Sequence, residues 1–266
     1  LRYATNQSGS WVTSVADGGA GDLGQDCRMV LDSADKPHIT YLDDGPNTIK
    51  YARKTGADWQ TETVGPVSDQ GEHGFALAID SADTIHLAYT TFVSANNVHL
   101  YYRTGTFGSW GASTLIDGTT SYRPAIVIDS AGKAHIVYHK FQTDSIFHIK
   151  HATNKSGAWV TADIATQARN APLIGLFVDN WDRLHVAWWQ QTAVTVGMMA
   201  YASNISGAWL VQTPDQTGVT GWRPQIAVDA LGIAHIVYHR MFGSWGTASG
   251  PDKCTADLKY AKGTPV

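Results

Sequence analysis

The chain has 266 residues, of which 43% are hydrophobic and 16% charged, a composition that supports a folded core and argues against disorder. Its 19 Lys and Arg against 23 Asp and Glu give a formal net charge of −4, which argues against a protein that binds nucleic-acid phosphates. No apolar run approaches the roughly 18 residues of a membrane-spanning helix, so we expect neither nucleic acid nor membrane as a partner.

Taken in chain order, the sequence repeats with a period near 50 residues. Each copy has an apolar run that ends in an Asp, and a His follows that Asp by six residues. The Asp residues are Asp32, Asp80, Asp129, Asp179 and Asp229, and the His residues are His38, His86, His135, His185 and His235. A Trp follows a Gly-containing turn at Trp11, Trp59, Trp110, Trp159 and Trp209. A repeat of this length determines the architecture of the whole chain.

One unit, residues 123–165, contains four apolar segments separated by Ser, Gly, Asn and Asp, which predicts four short antiparallel strands joined by turns. Four strands in about 50 residues, repeated in sequence, are typical of a β-propeller. We therefore predict an all-β fold: a single five-bladed propeller spanning residues 1–266, with four antiparallel strands in each blade.

The two ends are predicted to close the ring. The segment Leu1–Thr5 and the final Leu258–Lys262 both have the sequence of a third strand, so one of them is surplus. Either Trp11–Val15 pairs beside Leu258–Lys262 or the roles are reversed. Cys27 and Cys254 fall in blades that closure would make neighbours, so they form either a disulfide across the seam or two free thiols. A secreted or periplasmic location favours the disulfide.

A residue that recurs in every blade is expected to serve the framework. The repeated Asp can accept hydrogen bonds from the turn that follows it, the repeated His is expected to pack or bond to that turn, and the Trp is expected to wedge between blades. The alternative is a lectin in which five His/Trp notches between blades each bind a sugar.

The start of the first strand and the end of the second lie on one face, and there the blades differ. Different residues from each blade favour one asymmetric pocket over five identical sites. His139 and His239, at the ends of the second strands of the third and fifth blades, are candidate residues of this pocket. The candidate substrate-binding residues are Arg123, Arg223, Tyr122, Trp189, Trp222, Asp26, Asp44, Glu72 and His73.

The unit from Arg123 to His139, followed by Ile149-Lys-His-Ala-Thr, resembles the BNR-type repeats of bacterial secreted propellers. It is similar in pattern to propeller polysaccharide lyases that act on uronic-acid polymers. The resemblance implies a His-assisted elimination, with His139 and His239 matching the catalytic positions and Arg123 and Arg223 holding the uronate carboxylate.

The chemistry leaves several functions open. Arg can grip a carboxylate with two hydrogen bonds and His titrates near neutral pH, as elimination requires. A glycoside hydrolase would instead use carboxylates such as Asp26, Asp44 and Glu72. The same oxygens suit Ca²⁺, so a calcium-dependent hydrolase of glycosides, esters or phosphoesters is a third alternative. We expect a secreted or periplasmic monomer whose partner is a glycan or another small polar substrate.

Overall fold

A computed structural model of the chain describes residues 1–67, 74–94, 97–142, 146–167, 173–193, 196–217, 219–242 and 255–264. In those ranges the fold is all β, without a helix. The strands in chain order are β1 (Arg2–Thr5), β2 (Val12–Val15), β3 (Leu23–Leu31), β4 (Pro37–Asp43), β5 (Thr48–Thr55), β6 (Asp58–Pro66), β7 (Phe75–Ile79), β8 (Ile85–Ser94), β9 (Asn97–Thr106), β10 (Ser109–Trp110), β11 (Thr114–Asp117), β12 (Ser121–Ile128), β13 (Ala134–Phe141), β14 (Phe147–Thr153), β15 (Val160–Gln167), β16 (Ile174–Val178), β17 (Leu184–Ala193), β18 (Val196–Ser203), β19 (Leu210–Asp215), β20 (Val219–Val228), β21 (Ala234–Phe242) and β22 (Thr255–Gly263).

These strands form an N-terminal hairpin (β1–β2) and five antiparallel sheets. The first sheet is β3–β6, the second β7–β11, the third β12–β15, the fourth β16–β19 and the fifth β20–β22. Within each sheet the strands pair in chain order, except that β10 and β11 both pair with β9. Four strands per sheet are thus found in the first, third and fourth sheets, as the repeat predicts.

The repeated Asp builds the turn between the first two strands of each sheet. Asp129 Oδ1 accepts hydrogen bonds from the backbone N–H groups of Ala131 and Lys133, at 3.0 and 2.8 Å. The other four Asp residues accept the equivalent pair. The predicted turn role is confirmed in all five repeats.

The second carboxylate oxygen ties the turn to the repeated His. In the fourth sheet Asp179 Oδ2 lies 3.1 Å from His185 Nε2, and His185 Nδ1 lies 2.8 Å from the hydroxyl of Tyr201 on the third strand. The same Asp–His–Tyr triad occurs in the first, second and fifth sheets. In the third sheet His151 replaces the Tyr, with its Nε2 3.0 Å from His135 Nδ1. The repeated His therefore holds three strands together.

The repeated Trp packs between neighbouring sheets. Trp159, on the third sheet, meets Tyr102 of the second sheet edge to face, with ring centroids 4.8 Å apart. The equivalent contacts are Trp59 with Tyr3, Trp110 with Tyr51 and Trp209 with His151. The predicted wedge is confirmed at these four positions, whereas Trp11 is 74% exposed.

Tyrosines near the end of the second strand also link sheets. Tyr138 donates a hydrogen bond to Asp117 of the preceding sheet at 2.8 Å, and Tyr238 donates to Asp215 at 2.9 Å. Both side chains are buried. These contacts confirm that the two tyrosines pack, as strand alternation predicts.

The first strands of successive sheets lie side by side, β3 with β7, β7 with β12, β12 with β16 and β16 with β20. The hydrophobic clusters lie between sheets, and one of them joins Leu100 and Tyr102 of the second sheet to Ile126 and Ile136 of the third. The arrangement is propeller-like, with each sheet covering one face of the next.

The predicted closure of the ring is not seen in the described strands. β2 pairs with β1 along its whole length and β22 pairs only with β21, so Trp11–Val15 does not pair beside Leu258–Lys262. The hairpin is instead fixed on the first sheet through Trp59, which packs on Tyr3 and whose Nε1 donates a hydrogen bond to Ser14 Oγ at 3.2 Å. The two ends therefore remain separate.

Two further observations concern the cysteines and membrane-spanning helices. Cys27 has an exposed, free thiol, and Cys254, its partner in the disulfide alternative, lies outside the described residues. Among the described residues, no helix has the length and apolarity to cross a membrane.

Candidate functional site

A single cavity of about 400 Å³ is lined by the first strands of all five sheets. Each sheet contributes the residue four positions before its repeated Asp. These five residues are Arg28, Ala76, Ala125, Gly175 and Gln225. Because equivalent positions of five sheets meet here, the cavity lies on the axis around which the repeats are arranged.

The cavity wall is uneven in size and in charge. At this position the second, third and fourth sheets have the small residues Ala76, Ala125 and Gly175, whereas the first and fifth have Arg28 and Gln225. Arg123 adds a second guanidinium group to the lining. Such a wall leaves room on one side and presents hydrogen-bond donors on the other, which suits an anionic ligand.

The Arg28 side chain is held by the backbone carbonyl groups of the two residues that precede it. Its Nη1 donates to the carbonyl oxygens of Asp26 and Cys27, at 3.3 and 3.0 Å. Burial lowers the pKa of Arg28, and the nearby Asp26 charge opposes that shift. An Arg in a protein keeps its proton at neutral pH, so the cavity carries a fixed positive charge.

Three residues at equivalent positions of the first strands have a strained backbone, and one of them, Arg123, lines the cavity. Asp26, Arg123 and Arg223 have φ values of +48°, +52° and +50°. At each of them the strand pairing shifts, with two residues opposite one on the second strand. A bulge of this kind redirects side chains, and non-glycine residues in this conformation are often found at binding sites.

Around Arg123 the structure brings three predicted residues together. Tyr122, half-buried, lies directly opposite His139 across the β12–β13 pair. His139 is completely buried, and burial together with the Arg123 charge lowers the pKa of His139 to about 3. Burial also raises the pKa of Tyr122. At neutral pH this group therefore combines a neutral imidazole, a neutral phenol and a guanidinium cation.

The other predicted histidine and arginine, His239 and Arg223, belong to a separate group on the fifth sheet. Trp222 lies opposite half-buried His239 across the β20–β21 pair, and its ring meets that of Trp189 at 74° with centroids 5.0 Å apart. Trp189 is buried, while Arg223 is exposed. Neither His139 nor the residues of this second group line the central cavity. The four basic residues of the prediction are thus divided between two sheets, and only Arg123 reaches the cavity.

The predicted acidic residues lie beside the first strand of the first sheet. Asp26 is half-buried, and Asp44 accepts a hydrogen bond from Gln25 at 3.4 Å. Glu72 and His73 lie outside the described residues. Across the ranges that the structure describes, no three His, Cys, Asp or Glu side chains are grouped as a metal site.

The five His/Trp notches of the lectin hypothesis are largely filled by the protein itself. His86, His135 and His185 are buried in their triads, and four of the repeated Trp rings pack against the neighbouring sheet. A side chain that is already packed in this way is not free to stack on a sugar.

Arg28 and Gln225 are the cavity residues that sequence reasoning missed. An alignment of the five repeats on their Asp residues would have shown them, because the same position is Ala or Gly in the other three repeats. Both residues lie within the first strand of their sheet, away from the strand ends at which the pocket was predicted.

No family model matches the chain, and no curated protein matches it. Among solved structures it is similar to an ulvan lyase of a polysaccharide lyase family, with a TM-score of 0.58 and 10% identity over 80% of this chain and 61% of the lyase. It is similar to the Hadza microbial sialidase Hz136, with a TM-score of 0.54 and 12% identity over 81% of this chain and 52% of the sialidase. It is also similar to a mutant of AofleA from Arthrobotrys oligospora, with a TM-score of 0.56 and 13% identity over 97% of this chain and 81% of that protein. The chain thus spans little more than half the length of the two enzymes, and at these identities the likeness shows that it shares their fold.

Proposed function

We propose that this chain is a five-bladed propeller that binds an acidic glycan at its central cavity and acts on it as a carbohydrate-active enzyme. The observation that carries the proposal is the convergence of Arg28 and Arg123 on one cavity, in which three sheets have only a small residue, Ala76, Ala125 or Gly175, at the position of Arg28. Small residues leave space for a sugar ring, and two guanidinium groups match a carboxylate or sulfate.

Two structural neighbours act on acidic sugars, as their names indicate. The ulvan lyase has been solved with an oligosaccharide of glucuronate and sulfated rhamnose, and the other enzyme is a sialidase. A charged sugar is therefore a substrate class already found on this fold. Such polymers are located outside cells, which agrees with a secreted or periplasmic protein.

The chemistry that we propose is elimination across a uronic acid. A base removes the proton on the carbon next to the carboxylate, the electron pair forms a carbon–carbon double bond, and the leaving glycosidic oxygen takes up a proton. Arg123 would neutralise the carboxylate and so stabilise the charge that develops after proton loss. Tyr122, which is half-buried next to Arg123, is the proposed proton carrier. His139 is completely buried opposite Tyr122, so its proposed role is to position Tyr122.

The binding step is tested by calorimetry with glucuronate oligosaccharides and with uncharged glucose oligosaccharides of the same length. We expect one site per chain and a preference for the charged ligand. Arg123→Gln should weaken that binding by at least tenfold. Lys36→Gln, which removes the same charge from an exposed turn, is the matched control and should bind as the wild type does. Equal binding of charged and uncharged ligands would refute the proposal.

The reaction is tested separately. Elimination yields unsaturated products that absorb in the ultraviolet, whereas hydrolysis yields reducing ends without that absorbance. Tyr122→Phe should abolish the absorbance signal while leaving glucuronate binding intact. If the glycan binds but neither product forms, the chain is a glycan-binding protein and the enzymatic part of the proposal is excluded.

A further inference from the structure

One residue of the central cavity, Gln225, is not needed to neutralise an anion. It lies in β20 of the fifth sheet, is exposed, and lines the cavity. Its position in the repeat is that of Arg28 in the first sheet and is Ala or Gly in the other three. Because the residues four positions before the repeated Asp all meet at the axis, Gln225 and Arg28 lie at the same level of the cavity.

The side chains that line the cavity differ in the hydrogen bonds that they can make. Arg28 and Arg123 have N–H donors and no acceptor. Apart from Gln225, the other lining residues are Ala, Leu, Pro, Ile and Gly, whose side chains neither donate nor accept. Among the described residues of the lining, Gln225 thus has the only side chain that can accept a hydrogen bond, through its Oε1 atom.

A sugar acid needs an acceptor as well as a cation. Its carboxylate accepts hydrogen bonds from guanidinium groups, but each ring hydroxyl also has a proton to donate. A hydroxyl that is bound without an acceptor loses a hydrogen bond that it makes in water, which weakens binding. Arginine side chains alone therefore suit a simple anion, whereas an amide at the level of Arg28 also serves the hydroxyl groups of the same ring.

The surroundings of Gln225 suit this pairing. Nη1 of Arg28 is held by the carbonyl groups of Asp26 and Cys27, which fixes the direction of the guanidinium group and leaves its other N–H groups for a ligand. At the same level the second, third and fourth sheets have only Ala or Gly. A sugar ring therefore has space on that side and polar groups on the other.

We propose that Gln225 is a specificity-determining residue of the cavity. Its Oε1 atom accepts a hydrogen bond from a ring hydroxyl of the sugar whose acidic group the arginine residues bind. Gln225 thereby selects hydroxylated sugar acids from other anions of similar size and charge. The inference rests on the proposed binding of an acidic glycan and adds the feature, besides charge, that the site recognises.

The test compares two anions that share a saturated ring of the same size and a carboxylate. Methyl glucuronoside has hydroxyl groups on its ring, whereas cyclohexanecarboxylate has none. By calorimetry we expect the wild type to bind the glucuronoside at least about fivefold more tightly. Gln225→Met keeps the length of the side chain and removes the amide, so this preference should fall about fivefold, with the affinity for cyclohexanecarboxylate unchanged.

Two control variants make the result specific to the acceptor. Gln225→Glu keeps an acceptor and adds a negative charge, so both anions should bind more weakly while the preference for the glucuronoside remains. Gln7→Met removes an amide from an exposed turn of the N-terminal hairpin and should leave both affinities unchanged. Urea titration of each variant checks that it folds as the wild type does.

The outcomes distinguish this inference from the function on which it rests. If Gln225→Met keeps the full preference, or if Gln225→Glu loses it, the acceptor role of Gln225 is overturned while the acidic-glycan site stands. If the wild type binds neither anion, a single sugar ring is not recognised and the inference is overturned. The proposed function fails as well only if glucuronate oligosaccharides do not bind either.

Discussion

The third sheet contains an imidazole pair that should make the protein sensitive to acid. His135 and His151 stack with an interplanar angle of 11° and centroids 5.3 Å apart, at the place where four other sheets have a His and a Tyr. Burial and the neighbouring His135 lower the pKa of His151 to about 3. The folded protein therefore keeps this ring neutral, whereas an unfolded His has a pKa of about 6.5.

The sign of the pH effect follows from that difference. Below about pH 6.5 the unfolded chain takes up a proton at His151 that the folded chain does not bind, so stability falls as the pH falls. One group contributes about 1.4 kcal/mol per pH unit, or about 2.7 kcal/mol between pH 6.5 and 4.5. The loss continues until the pH approaches 3, where the folded chain also binds the proton.

The test replaces His151 by Tyr, the residue at this position in the other sheets. We expect the free energy of unfolding of His151→Tyr, measured by urea titration, to fall less steeply between pH 6.5 and 4.5 than that of the wild type, by about 2.7 kcal/mol. The reciprocal variant Tyr102→His creates a second imidazole pair and should fall more steeply. Groups away from the substituted His–Tyr or His–His pair titrate alike in all three proteins, so they cancel in the comparison. Parallel pH profiles for the wild type and His151→Tyr would refute the reasoning.

Three further predictions concern stability and binding. Trp159→Ala should destabilise the fold by about 3–5 kcal/mol, because its ring packs between two sheets, while Trp11→Ala should change the free energy of unfolding by less than about 0.5 kcal/mol; urea titrations that gave equal losses would contradict the packing role. Asp129→Ala should cost about 3 kcal/mol, because it leaves buried His135 and two turn N–H groups without their acceptor, and a loss below about 1 kcal/mol would show that water replaces the carboxylate. Arg123→Gly should relieve a left-handed residue and stabilise the fold by about 1 kcal/mol while weakening glucuronate binding, and calorimetry that shows unchanged binding would remove Arg123 from the site.

The regular features of the fold could be predicted because each depends on residues close together in the sequence. Asp129 bonds to a turn that ends four residues later, and His135 is only six residues away. Such local geometry repeats whenever the sequence repeats. The Trp wedge was predictable for a related reason, since an aromatic residue present in every unit has to solve a packing problem that every unit has.

The site was less predictable, because exposure at the end of a strand depends on what the neighbouring sheet covers. His139 and His239 occupy equivalent positions in the repeat, yet His139 is completely buried and His239 is half-buried. The alternation of residues along a strand predicts which face of the sheet a side chain lies on, but it does not predict whether a neighbouring sheet buries that side chain. Arg28 could not be recognised as a cavity residue from its neighbours in the strand, because they do not indicate that the first strands of all five sheets line one cavity.

The amino-acid sequence by itself determined the strands, the Asp turns and the Asp–His contacts, since these follow from short spacings that recur in every unit. Only the tertiary structure decided that Arg28 and Arg123 share one cavity, that His139 is buried and neutral, and that the two ends of the chain do not pair. Those outcomes depend on contacts between residues far apart in sequence, where small differences in packing between neighbouring sheets decide which side chains reach solvent.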